Sequence, residues 1–197
     1  MKKIILIGAG GHAKSCIDII ENSKLYKIVG LIDNQKKIGE KLLNYKVIGN
    51  DKDLSKICNQ FKNLNCHISL GSILDQGQRE KLFLTGKKLG LKFPVLKSKK
   101  SYISKYCNIG EGTIVMHDVV LNANVMIGKN CILNTKSLIE HDAIINDHSQ
   151  ISTGVIINSA VVVGKKCFIG SNTVIKQTVK IKSNSFINMG NKVFRDV

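Results

Sequence analysis

From Ile103 to Val193 every sixth residue is aliphatic. Sixteen consecutive positions (103, 109, 115 and so on to 193) hold only Ile, Leu or Val. Chance does not sustain such a run, even in an Ile-rich chain. Four residues after each aliphatic stands a small or β-branched side chain, from Cys107, Thr113 and Val119 through to Val179 and Ser185. Two inward positions two residues apart, repeating every six, fit a short strand whose alternate side chains face one core. A third regularity marks corners. Nine of the fourteen residues that directly follow the aliphatics from 109 to 187 are Gly or Asn, types that tolerate left-handed backbone in a tight turn. Each hexapeptide therefore predicts one strand and one turn. Three hexapeptides make a triangular coil, and residues 103–193 make about five coils stacked at the ~4.8 Å strand spacing. Cys107, Cys131 and Cys167 fall on inward positions and are expected to be packed thiols.

Residues 1–96 lack this beat and show a different pattern. KKIILI (2–7) predicts a buried strand, followed by the turn GAGGHA (8–13) and a helical pattern, KSCIDIIENS. KIVGLID (27–33), KVIG (46–49) and HISLG (67–71) predict further strands. DLSKICNQF and DQGQREKLFLTGKKLG (75–90) predict helices. Alternation of this kind implies a parallel sheet. The lone proline, Pro94, precedes the basic run KSKK (97–100). The expected organisation is thus an α/β Rossmann-like domain over 1–96, a linker at 97–100 and an all-β repeat domain over 101–197.

The turn Gly8-x-Gly10-x-x-Ala13 between strand and helix, with Asp33 ending the next strand, fits a phosphate-cradling loop. Glycine there lets backbone approach phosphate, the helix N-terminus favours negative charge, and the acid could meet a ribose hydroxyl. The same pattern also serves as a plain packing turn. An NAD enzyme is disfavoured, because about 95 residues make roughly half of a full dinucleotide fold.

Composition adds limits. The 43% hydrophobic content is sufficient for a core, and no apolar run reaches the ~18 residues of a membrane span. MKKIILIGAGG runs into a Gly-rich turn rather than a signal-peptide cleavage site, so a cytoplasmic protein is expected. The formal charge of +16 is spread along the chain and comes almost wholly from Lys. Without an aromatic-rich RNA motif, a helix-turn-helix or a zinc pattern, no nucleic-acid partner is expected. Such a surface suits small polyanions such as coenzyme A or a nucleotide sugar. The six cysteines lack C-x-x-C spacing and are expected to be free; no metal is expected.

The densest polar cluster is Glu140-His141-Asp142, directly after the repeat aliphatic Ile139. Outward, corner-side positions let the repeat carry chemistry without disturbing its core. With G-A-G-G-H-A-K at the front and N-T-K-S-L-I-E-H-D in the repeats, the chain resembles the sugar O- and N-acetyltransferases of the sialic-acid O-acetyltransferase (NeuD) and bacillosamine-pathway (PglD) type. GSILDQGQREKLF and the stretch from YISKYCNIG to IEHD look closer to the sialic-acid branch. The resemblance covers nearly the whole chain. It implies a left-handed parallel β-helix and a homotrimer with acetyl-CoA as co-substrate in the groove between neighbouring β-helices. It further implies acetylation of a sialic-acid-like hydroxyl or of a nucleotide-linked amino sugar for surface glycans.

The resemblance implies His141 as the general base, apt because an imidazole of ordinary pKa near 6.5 is largely neutral at pH 7. Asp142 is implied as the carboxylate that orients it, with Glu140 a second candidate on sequence. On the substrate side it points to Gly8, Gly10, Gly11, His12, Asp33 and Gly71, and on the acetyl-CoA side to Gln150, Gly154 and Ser159. Ser159 lies eighteen residues after His141, one coil on, where its backbone N–H could face the thioester carbonyl. Relatives often have Gly there. Gln150 stands where some relatives have a second histidine, and the ending MGNKVFRDV lacks the family's Gly-x-Pro-Ala. His117 and His148 are read as solvated bystanders. The competing expectation is a non-catalytic β-helix protein that binds a sugar nucleotide as a sensor or assembly partner.

Overall fold

A computed structural model describes residues 1–61, 63–71 and 76–197 of the chain. It contains two compact units, Met1–Pro94 and Val95–Val197.

The first unit is an α/β sheet domain. Its strands are β1 (Lys2–Ile7), β2 (Tyr26–Ile32), β3 (Lys41–Leu42), β4 (Tyr45–Gly49) and β5 (Asn65–Ile68). They lie in the order β3-β4-β2-β1-β5, parallel except for the β3–β4 hairpin. Helices α1 (Gly11–Ser23) and α2 (Leu54–Gln60) connect strands of the sheet, and α3 (Gln76–Lys88) follows β5. Ile4, Ile5, Leu6 and Ile7 are buried throughout, as expected for a parallel strand covered on both faces. Asp75, the first residue of the expected third helix, lies outside the described residues, as do positions 72–74 within the GSILDQGQREKLF motif. The chain runs from β1 to β2 on one side and returns to β5 on the other. This places a topological switch, where open α/β sheets bind ligands, at the carboxyl end of β1.

The second unit is a triangular parallel β-helix. Its three faces carry six, five and six short strands. The first face stacks Tyr102–Ile103, Val120–Leu121, Leu138–Ile139, Ile156–Ile157, Val174–Ile175 and Lys192–Val193. The second runs from Asn108–Ile109 through Ile144–Ile145 to Lys180–Ile181. The third runs from Leu96–Lys97 through Gln150–Ile151 to Phe186–Ile187. Register is eighteen residues per coil throughout, as in Leu121↔Ile139. Inward aliphatics from Val115 to Val193 are buried, which bears out the six-residue beat. Inward Thr113 and Ser149 are tied to backbone: Thr113 Oγ1 donates to the Gly128 carbonyl at 2.8 Å and accepts from the Cys131 N–H at 3.0 Å, and Ser149 Oγ donates to the Gly164 carbonyl at 2.8 Å. All six cysteines are free; Cys131 and Cys167 are buried, and Cys107 is half-buried.

Two expectations need correction. First, the left-handed residue is not the one after each aliphatic but the third after it: Asp118, Asn124, Asn130, Lys136, Asp142 and His148 have φ of 51–62°. Glycines directly after the aliphatic answer to crowding instead. A Cβ on Gly110, Gly128, Gly164 or Gly170 would come within 2.4–2.6 Å of the next coil. Asn at that position caps the next coil, as when Asn146 and Asn158 donate to the Val163 and Ile175 carbonyls at 2.8 and 2.7 Å. Second, 97–100 is not a free linker. Leu96–Lys97 pairs with Ile114–Val115 as the first strand of the third face, and the Ser98 N–H donates to the Val115 carbonyl. The backbone pairing draws these residues into the first coil despite their lysines.

Candidate active site

The corner between the first and second faces is built by residues 140–143. The Ala143 N–H donates to the Glu140 carbonyl at 3.4 Å, and Asp142 has φ 62°. This is a type II turn with His141 at its second position. Like turns stack above and below: Asp142 N–H donates to the Ala123 carbonyl at 3.2 Å, and Ala160 N–H to the His141 carbonyl at 3.1 Å. Side chains eighteen residues apart therefore meet along the corner.

They form one continuous chain of hydrogen bonds. Asn124 Nδ2 donates to Asp142 Oδ1 at 2.7 Å. Asp142 Oδ2 lies 2.7 Å from His141 Nδ1, and His141 Nε2 lies 2.9 Å from Ser159 Oγ. The His141 and Asp142 side chains remain 57% and 50% exposed, so the group is open to ligands. Asn124 first, and His141 second, hold the Asp142 carboxyl below the usual aspartate range. The ionised carboxylate draws the imidazole proton to Nδ1 and leaves the Nε2 lone pair facing Ser159. Glu140 turns elsewhere and accepts from Asn122 Nδ2 at 2.8 Å. The carboxylate that contacts His141 is therefore Asp142. The Ser159 backbone N–H has no acceptor among the described residues.

Gln150 and Gly154 are not brought to this corner. Gln150 is buried on the third face between Ile132 and Phe168. Gly154, with φ 68°, belongs to the turn from the third face to the first. The two bystander histidines are also held: His117 Nδ1 lies 2.6 Å from Ser98 Oγ, and buried His148 Nδ1 lies 3.0 Å from Asn130 Nδ2. Sequence reasoning missed Asn124 and the Ser159 hydroxyl as members of the chain. The signal was available, because 124 and 142, like 141 and 159, are one coil apart.

In the first unit, a cavity of ≈190 Å³ opens at the carboxyl end of β1, bordered by Gly8, Gly10, Asp33, Asn34, Asp51 and Leu70. A Cβ on Gly10 or Gly11 would meet nothing within 4 Å. These two glycines therefore leave open space and are not demanded by packing, whereas Gly8, with φ 109°, sits 2.7 Å from Leu70 by the same measure. The Asp33 carboxylate accepts from the backbone N–H groups of Ala9, Gln35 and Lys36 at 2.7–3.1 Å. Its main work is to pin the glycine turn, which leaves little free valence for a ribose. His12 faces inward, and a Cβ on Gly71 would lie 3.1 Å from it. Its ring groups with Cys16 and His67, their ligand atoms within 4.8 Å of one another. Burial, then the Arg79 charge, pushes its pKa down to about 4.

Residues 3–85 match the family model described as the PglD N-terminal domain, and residues 97–194 match that described as the GMPPB C-terminal domain. No curated protein matches the sequence. Among solved structures, a histidine-to-asparagine mutant of perosamine N-acetyltransferase from Caulobacter crescentus, in complex with CoA and GDP-perosamine, aligns with a TM-score of 0.93 at 24% identity, covering 100% of this chain and 90% of that one. The acetyltransferase domain of PglB from Neisseria gonorrhoeae FA1090 aligns at 0.90 and 23%, covering 100% and 93%. WeeI from Acinetobacter baumannii AYE aligns at 0.89 and 23%, also covering 100% and 93%. The shared fold is an α/β domain followed by a left-handed parallel β-helix.

Proposed function

We propose that this chain, whose residues 3–85 match the PglD N-terminal domain and whose fold is shared with solved sugar acetyltransferase structures, transfers acetyl from acetyl-CoA to the amine of a nucleotide-linked amino sugar. The observation that carries the reading is the exposed His141–Asp142 pair, with Nδ1 committed to a carboxylate and Nε2 left basic. Among the similar folds, one is named an N-acetyltransferase solved with CoA and a GDP-sugar, and the PglB domain has a form solved with acetyl coenzyme A.

In this reading the neutral amine attacks the thioester carbonyl. His141 Nε2 takes the amine proton, Asp142 stabilises the imidazolium, and the C–S bond breaks. The proton then passes to the departing CoA thiolate. The Ser159 backbone N–H faces the developing oxyanion. The front cavity, lined by Gly8, Gly10 and Asp51, lies beside a glycine turn and helix N-terminus of the kind that suits a nucleotide phosphate. The pattern of outward residues on the two faces flanking His141 supports a homotrimer with acetyl-CoA between copies. Val120, Leu138, Ile156 and Val174 on one, and Ile144 and Val162 on the other, are apolar yet only half-buried in the single chain. Such faces favour association. A cytoplasmic site of action goes with acetyl-CoA as co-substrate; no helix among the described residues is long and apolar enough to cross a membrane.

The test is CoA-thiol release with acetyl-CoA and a panel of nucleotide-linked amino sugars, beside free sialic acid. Turnover on an amine of the panel, lost in His141→Ala, is expected. Turnover on sialic acid alone would move the reaction to oxygen. Absence of thiol release with every acceptor would favour a non-catalytic sugar-nucleotide binder.

A further inference from the structure

Two histidines and a cysteine converge inside the front unit, where the proposed chemistry makes no use of them. His12 and Cys16 stand four residues apart on α1 and so share one helix face. His67 lies on β5 between Cys66 and Ile68, which both join the apolar core around Leu54 of α2 and Phe83 of α3. Alternation along the strand turns His67 to the other face of the sheet, and there its ring meets α1. One ligand atom from each of His12, Cys16 and His67 lies within 4.8 Å of the other two. Cys16 and His67 are fully buried. Neither ring nitrogen of His67, nor Nε2 of His12, has a hydrogen-bond partner among the described residues. Leucine or methionine would fill the same space without stranding polar atoms, whose burial costs stability. Three donors that converge without partners are what a metal ion requires.

We propose that His12, Cys16 and His67 form a site for a thiophilic metal ion, held by two neutral imidazoles and one thiolate, and that copper(I) is the ion it fits. The proposal is independent of the acetyltransferase reading, whose catalytic residues lie in the second unit. Imidazole and thiolate together select copper(I) or zinc(II) over magnesium and calcium. Charge separates the two. After burial, which is the larger cause, the charge of Arg79 opposes protonation of both rings, and at Cys16 it partly offsets the rise that burial causes. A positive charge therefore stands beside all three ligands. No aspartate or glutamate joins the group among the described residues. Copper(I) and one thiolate sum to zero beside that guanidinium. Zinc(II) and one thiolate add a second positive charge there, which a buried site without a carboxylate does not offset. Zinc also asks for a fourth ligand, whereas three serve copper(I).

Binding exchanges a proton for the ion. Burial pushes the Cys16 thiol up to about 12, so without metal it keeps its proton at neutral pH. The ion displaces that proton and forms one bond to sulfur and two to nitrogen, and one proton leaves for each ion bound. Nothing is oxidised or reduced. The bonds pin the start of α1, directly after the Gly8–Gly10 turn, to β5.

The test uses the full chain, reduced and freed of metal by a chelator; this metal-free protein is the reference state for stability at every pH. Copper(I) is titrated anaerobically against a chromophoric copper(I) chelator, and zinc(II) in parallel against a zinc one. The expected result is one copper(I) per chain, one proton released, a raised unfolding temperature and an X-ray absorption shell of one sulfur and two nitrogens. His67→Leu should weaken copper(I) at least ~10²-fold, since losing even a hydrogen-bond partner of a ligand costs up to that much, and its unfolding temperature should gain nothing from the ion. Cys16→Ser should remove sulfur from the shell. The shell and the proton are read on wild type, so the outcome does not depend on how the variants fold. One zinc(II) per chain on the same three ligands, in place of copper(I), would support the site and overturn copper(I) as its ion. No stoichiometric uptake of either ion would overturn the site itself. So would a shell of two or more sulfurs, or wild-type affinity in His67→Leu, either of which would put copper on half-buried Cys58 or Cys107 instead.

Discussion

At the scale of the residue, Asp142 does two jobs through one side chain. Its φ of 62° is a conformation that Asp and Asn tolerate better than most residues, and that turn aims its carboxylate back at His141. Asp142→Asn keeps both the turn and the side-chain size but removes the charge that fixes the Nδ1 proton and stabilises imidazolium. It is expected to lower kcat at least ~10²-fold with a nearly unchanged Tm; wild-type kcat would remove Asp142 from the mechanism. Asn124 offers a finer probe. Its φ is 61°, so Asn124→Gly leaves the turn comfortable and removes only the side-chain donor, which is the largest cause of Asp142's lowered pKa. In that variant the Asp142 pKa rises towards its ordinary value. The carboxylate is then held less firmly against His141 Nδ1, so kcat should fall while KM for each substrate holds. An unchanged kcat would show that Asn124 does not act through Asp142. The His-Asp pair was legible in the sequence. The choice of Asp142 over Glu140 was not, because both flank the histidine and only the backbone turn decides which carboxylate reaches it.

At the scale of the element, periodicity made the coils readable, since each inward residue repeats a single packing requirement. The corners were misread because Gly serves two purposes that composition does not separate. Gly164 follows an aliphatic without a positive φ, and a Cβ there would lie 2.4 Å from Ser183 N; Gly190 has φ 72° and open space. Gly164→Ala pushes on backbone that cannot yield, so it should cost ~1–3 kcal/mol, the usual scale of overpacking. Gly190→Asn should change stability by only a few tenths of a kcal/mol, because Asn tolerates the left-handed region. Denaturant midpoints of the two variants would check this, and equal losses would contradict the division of roles. In the front unit the β3–β4 hairpin escaped notice for a related reason. It turns through Leu43 at φ 52°, where the Asn-Gly or Asp-Gly signature of such a turn is missing.

At the scale of the whole molecule, the two-part organisation was legible because the six-residue beat simply starts. The boundary was less so, since Lys97 looks like linker yet pairs in the first coil. Beyond the proposed chemistry, the two units carry different liabilities, and the front unit's is acid. His67 is fully buried, and neither of its ring nitrogens, nor Nε2 of His12, has a hydrogen-bond partner among the described residues. Burial first, then the charge of buried Arg79, holds the His67 pKa well below its ordinary 6.5 and brings His12 to about 4. Arg79 keeps its charge in place by donating to the Ile68 and Leu70 carbonyls at 3.2 and 2.6 Å. Unfolding frees both imidazoles to bind protons at ~6.5, whereas in the folded unit His12 refuses its proton until about pH 4 and burial disfavours the charged form of His67 as well. The unfolded state therefore holds more protons in that window. Stability is fully present above pH ~6.5 and falls as pH drops towards 4, by about 3 kcal/mol for His12 alone. His67→Leu removes one titrating group and two unpaired buried nitrogens. It should leave stability at pH 7 no lower than wild type and make the decline between pH 6.5 and 4 shallower. Calorimetric unfolding across that range, with proton uptake measured in buffers of different ionisation enthalpy, would decide the matter. An unfolding transition that takes up no protons near pH 5 in wild type would mean these histidines are not the acid trigger.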